Sequence, residues 1–194
     1  MKSMLWSFLL VGALGVSGCA SSTPPANRFM LPGSEAAPTP TGQAEYVLLV
    51  QSPRLAHYLD VDGIVLQLDD ITLNAARQHL WAEPLGRQLE RGLRTRLAER
   101  LPNTRVVRDE SATGRGNAMR LRLEVDRFQG RHDGVAIASG QWQLLAPDGR
   151  LVAMERFHAE TELDDDGYPA LVRALGRSWD RVADDIASGI RRGR

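Results

Sequence analysis

The sequence predicts an α+β domain: a mostly antiparallel sheet with two amphipathic helices packed on one face. Three observations carry that expectation. Leu85, Leu89, Leu93, Leu97 and Leu101 recur every four residues, and so do Leu171, Leu175, Trp179, Val182, Ile186 and Ile190 at steps of four and three, which is the apolar stripe of a helix lying on a core. Met119, Leu121, Leu123 and Val125 alternate with Arg120, Arg122 and Glu124, which is the signature of a strand with one buried face. Between two further apolar runs stands Pro147-Asp148-Gly149, a turn in which proline presets the backbone and glycine accepts positive φ.

The elements follow in order. Lys2 and the apolar run Met4 to Val16 form a positive n-region and an h-region too short to span a bilayer comfortably, so residues 1–18 read as a secretory signal. The run ends in Val16-Ser17-Gly18-Cys19, small residues before a cysteine, and this resembles the lipobox of bacterial lipoproteins. That resemblance implies cleavage before Cys19 and acylation of it. The alternative is an ordinary signal peptide followed by an incidental cysteine. Cys19 is the one cysteine of the chain, so no internal disulfide can form and the domain depends on its core. A buried CH₂ contributes about 0.8 kcal/mol, so several acyl chains anchor a protein where one does not.

Residues 19–43 are rich in Pro, Ser, Thr and Ala and read as a lipidated, flexible tether. Residues 44–194 are long enough for one domain with a real core. Within them, Glu45 to Val50 and Gly63 to Leu68 read as buried strands flanking a turn-rich stretch. Pro84 opens the first helix and Pro102-Asn103 stops it. Arg87, Glu90, Arg91, Arg94, Glu99 and Arg100 are assigned to its polar faces. Arg105 to Arg108, Val135 to Leu145 and Leu151 to Thr161 are further strands. Apolar parity changes between Ile137 and Trp142, which predicts a bulge near Gly140. Asp164-Asp165-Asp166-Gly167 precedes the last helix, and Arg191 and Arg192 sit at its negative end.

Little in the chain points to chemistry. The formal net charge is +0, without the basic excess that nucleic-acid binding needs. Lys2 is the one lysine; arginine-only usage suits phosphate contacts, but the arginines are scattered and the codon choice of a G+C-rich genome is the preferred explanation. No G-x-S-x-G elbow is present, and His57, His79, His132 and His158 are dispersed without an H-E-x-x-H spacing. Asp164 to Asp166 lack the alternation of a calcium loop and suit the positive end of a helix; Asp60-x-Asp62-Gly63 reads as a tight turn, and Gly114-Arg115-Gly116 as a connector. We therefore expect no catalytic residues, no metal and no cofactor.

The most distinctive stretch is His79-Leu80-Trp81-Ala82-Glu83-Pro84-Leu85. Local physics accounts for it as a helix start: Pro84 loses nothing by lacking an N–H there, Glu83 favours the positive end, and Trp81 covers the leucine stripe. The same residues, with Phe29-Met30-Leu31-Pro32, Tyr58-Leu59 and Gly63-Ile64-Val65, resemble the PqiC-type family of ABC-transport auxiliary lipoproteins, which partner MCE proteins. Asp126, Phe128, Trp142 and the C-terminal helix fit as well. The resemblance implies a non-enzymatic lipoprotein that docks an MCE-domain protein, forms homo-oligomers, and serves the transfer of phospholipid or other hydrophobic molecules between membranes. It gives Tyr58, Gly63, His79, Trp81, Glu83, Pro84 and Leu85 a structural role. Ala20 and Ser21 follow Cys19 with no aspartate, which by the lipoprotein resemblance implies the periplasmic face of the outer membrane. A second reading, an envelope lipoprotein that scaffolds a cell-wall or outer-membrane assembly, stays open; a small periplasmic hydrolase is the third.

Overall fold

In the computed structural model, residues 25–33, 44–109 and 116–193 are described. Nine strands and two helices form one α+β unit: β1 (Asn27–Phe29), β2 (Tyr46–Val50), β3 (Arg54–Leu55), β4 (Gly63–Gln67), β5 (Leu73–Trp81), α1 (Leu85–Arg100), β6 (Thr104–Arg108), β7 (Met119–Arg131), β8 (Val135–Leu145), β9 (Leu151–Glu162) and α2 (Tyr168–Arg192).

The long strand β7 organises the sheet. One of its edges pairs with β8, and β9 completes an antiparallel meander. Its other edge is covered by three short strands in succession: β2 beside Met119 to Leu121, β3 beside Glu124 and Val125, and β4 beside Gly130 and Arg131, all parallel to β7. β6 then flanks β2 in parallel, β5 flanks β4 antiparallel, and β1 lies parallel to β5. The sheet is therefore mixed: most of its described strand pairings are parallel, while the antiparallel pairings join most of the paired residues. Antiparallel pairing joins the longest strands β7, β8 and β9, and also β4 with β5. Parallel neighbours are joined only by long crossovers, here through α1 among others, and alternation along a strand carries no sign of its partner's direction.

The leucine stripe of α1 is buried throughout, as are Leu171, Leu175, Trp179, Val182, Ile186 and Ile190 of α2, and they share one core with the inward residues of β7, β8 and β9. The tryptophan indole of Trp179 crosses Phe128 and Phe157 edge-on, and its N–H donates to the Leu89 carbonyl at 3.2 Å, tying the helices together. The expected bulge is on β7 rather than β8. Val125 pairs with Gly140 and Arg127 with Ser139, so Asp126 is the extra residue. Inward positions on β7 then pass from Leu121, Leu123 and Val125 to Phe128. Gly140 faces this bulge, where a Cβ would run into the Glu124 carbonyl oxygen.

Strands β1, β3 and β5 have no counterpart among the expected elements. β5 exposes most of its residues, so no alternation marks it. The described part of the expected tether is also folded onto the domain: β1 pairs with β5, and Leu31 is buried. At the opposite edge of the sheet, Arg177 and Arg181 of α2 donate to the carbonyls of Glu162 and Glu160, which leaves those groups of β9 occupied.

Candidate functional site

The end of β5 and the start of α1 carry the motif residues. Trp81 is the last residue of β5 and is 3 % exposed; its N–H donates to the Asp62 carbonyl at 2.7 Å, and its indole tilts against Phe128 at 6.3 Å between centroids. Gly63 stands across from this strand, where a Cβ would meet the Ala76 carbonyl oxygen, so only glycine admits the approach of β4 to β5. His79 stacks face to face on Tyr168 at the start of α2, 3.9 Å between centroids, with Phe29 of β1 on the same system at 6.0 Å. One imidazole thus links the edge of the sheet to the second helix.

Pro84 occupies the N-cap of α1, and its carbonyl accepts from the backbone N–H groups of Arg87 and Gln88. Glu83 receives a forked pair of bonds from Arg91, at 2.8 and 3.1 Å. Those bonds hold its carboxyl below the usual carboxylate range and push the Arg91 guanidinium up. Leu85 begins the buried stripe. On the other side of the sheet, the Tyr58 hydroxyl lies 2.7 Å from both the Asp126 carbonyl and Gln129 Oε1, and burial raises its pKa. Tyr58 thereby fastens the loop after β3 onto the β7 bulge. Every motif residue has a packing or hydrogen-bonding task in the fold.

Sequence reasoning missed a clamp on the segment after β1. Gln88, fully buried, accepts the Leu31 N–H at 2.7 Å through Oε1 and donates to the Glu83 carbonyl at 2.9 Å through Nε2. One turn pair further along α1, Arg96 donates to the carbonyls of Pro32 at 2.8 Å and Gly33 at 2.9 Å and pairs with Asp180 of α2. Gln88, Gly92 and Arg96 form a second buried row at steps of four beside the leucines. Its one visible signal was a glycine in the middle of a helix, which usually marks a close contact. Glu90, assigned to a polar face, is 1 % exposed and lies between Arg94 and Arg108.

Among the described residues no three His, Cys, Asp or Glu side chains converge as metal ligands. A polar groove of about 230 Å³ lies among Gln51, Arg54, Arg122, Glu124, Gln141 and Gln143, and an apolar cleft of about 130 Å³ lies among Leu66, Leu163, Tyr168 and Leu171. Asp164, Asp165 and Asp166 lie directly ahead of the N-cap Gly167 of α2, and Asp164 also pairs with Arg177. Gly114 and Arg115 lie outside the described residues, as does Cys19.

Residues 29–187 match the family model described as the ABC-type transport auxiliary lipoprotein component. The chain belongs to this family. The matched span runs from the end of β1 into α2 and includes every motif residue named above. Two relatives, each named intermembrane transport lipoprotein PqiC, come from Escherichia coli strain K12 and Shigella flexneri; each is 32% identical over 183 residues, which is 94% of this chain and 95% of the relative. A solved structure of an uncharacterised protein superimposes with a TM-score of 0.74 at 29% identity, covering 86% of this chain and 99% of that one. A second, from Xanthomonas campestris, gives 0.63 at 23% identity over 80% of this chain and 89% of that one, and attests the fold. Family membership makes the chain a transport auxiliary lipoprotein. None of the described helices is long and apolar enough to cross a membrane.

Proposed function

We propose that this protein is a non-catalytic component of an intermembrane lipid transport system, acylated at Cys19, held at the periplasmic face of the outer membrane, and docked as a homo-oligomer on an MCE-domain partner. The observation that carries this reading is near full-length similarity to lipoproteins named for intermembrane transport. The structure lends physical support. A carrier accessory needs a rigid body at a set distance from its membrane, and the clamp from Gln88 and Arg96 holds residues 31–33 on the domain. Cys19 and Asn27 are eight positions apart, so the chain between anchor and fold spans at most about 28 Å.

The test is a crosslinked pull-down of the intact lipoprotein from cell envelopes, beside Cys19→Ser. Recovery of an MCE-domain protein, reduced in Cys19→Ser, is the expected result. Recovery of cell-wall enzymes without an MCE-domain partner would overturn the transport reading.

A further inference from the structure

The turn between β4 and β5 is ordered yet apolar. The Leu68 N–H donates to the Thr72 carbonyl, and Asp69 Oδ1 accepts from the N–H groups of Ile71 and Thr72 at 2.9 and 2.6 Å. These bonds hold the Asp69 carboxyl below its usual range. A turn so fixed ordinarily carries polar side chains at its tip. Here Ile71 is 86% exposed, Leu68 49% and Leu73 42%. The apolar cleft among Leu66, Leu163, Tyr168 and Leu171 opens at the same end of the sheet. Three large aliphatic side chains on one rigid tip form a patch that water does not favour.

The course of the chain names the occupant. β1 is parallel to β5, so the chain arrives at Asn27, opposite His79, from the side on which β5 begins, which is the side of this turn. Cys19 and Asn27 are eight positions apart, and so are Ile71 and His79. Both stretches measure at most about 28 Å. A chain of that length is therefore long enough to let the anchor reach the plane of the apolar tip. We infer that the β4–β5 turn inserts Ile71, with Leu68 and Leu73 beside it, into the interface of the lipid surface that holds the acyl chains. This rests on acylation at Cys19 as proposed above. The acyl chains retain the protein, while the tip sets which face of the domain points away from the membrane.

Charge at this end limits the depth. Asp69 is committed to backbone donors, and Arg131 neutralises Asp133 and Glu160. Asp70, Asp165 and Asp166 remain exposed beside the tip. They stay in water and oppose anionic headgroups, so insertion is shallow and weakens as anionic lipid is added.

Acylation consumes the Cys19 thiol, so an introduced cysteine becomes the one labelling site in the lipidated chain. Ile71→Cys and, at the far end of β9, Met154→Cys are labelled with an environment-sensitive fluorophore and reconstituted into phosphatidylethanolamine–phosphatidylglycerol vesicles. Both positions are exposed, so neither change disturbs the core. The expected result is a blue shift at 71 that a lipid-borne nitroxide quenches, with neither effect at 154. Protein that floats with vesicles but leaves the label at 71 in water would overturn the orientation and spare the anchor. A blue shift at 71 without nitroxide quenching would put the tip against protein and overturn it as well. Protein that does not float would remove the anchor reading, and the orientation with it.

Discussion

Replacing Gln88 by leucine probes the clamp that joins the segment nearest the anchor to the first helix. Leucine matches glutamine in bulk and in helix propensity, so the change removes two hydrogen bonds and little else. It strands the Leu31 N–H, whose acceptor lay 2.7 Å away, and the Glu83 carbonyl, whose donor lay 2.9 Å away. Each group left without a partner costs about 1–3 kcal/mol, which gives about 2–6 kcal/mol for the pair and about 1–5 net of the added apolar burial. In a domain of this size that lowers Tm by roughly 5–15 °C. Urea unfolding followed by tryptophan fluorescence in a Cys19→Ser background measures the total. Amide exchange locates it: the Leu31 amide should lose its protection well before the amides of β7 and β8. A loss under about 1 kcal/mol would refute the reasoning, as would unchanged exchange at Leu31.

Gly140→Ala is expected to cost at least the upper end of the roughly 1–3 kcal/mol typical of overpacking, because its Cβ would fall on the Glu124 backbone oxygen. Gly134→Ala, in open space but at φ 80°, should cost less, and chemical denaturation of the two variants tests the order. Acid should weaken the fold through carboxylates held below their ordinary range. Glu83 is held there by Arg91, and Asp133 and Glu160 by Arg131. A depressed pKa stabilises fully above the unfolded value, about 4.5 for the glutamates and about 3.8 for Asp133, and is lost as pH falls through the folded value. Stability measured from pH 6 downward should therefore decline below about 4.5. Glu83→Gln should remove part of that slope, by a modest amount because the pair is partly exposed.

Much of this protein is local, and the sequence by itself determined that much. The helix over Leu85–Arg100 follows from its leucine step and from prolines at both ends, and the helix over Tyr168–Arg192 from a stripe of Leu171 to Ile190, because burying one face of a helix imposes a period near four. The meander of β7, β8 and β9 follows from alternation and one turn motif, since their pairings join neighbours in sequence. The motif around Trp81 was legible as structural for the same reason: proline, glutamate and an aromatic ring have assignable local tasks.

What only the tertiary structure decided depends on partners distant in sequence. Three strands align along one edge of β7, and no residue in β2, β3 or β4 announces the direction of its neighbour. β5 stayed hidden because its side chains are largely solvated and its hydrogen bonds are backbone ones. Beyond the glycine between them, nothing local marks Gln88 and Arg96 as buried; the carbonyls of residues 32 and 33 and the amide of Leu31 that they bind come from about sixty positions away. Polar side chains take their role from what surrounds them, and those surroundings are assembled only when the chain folds.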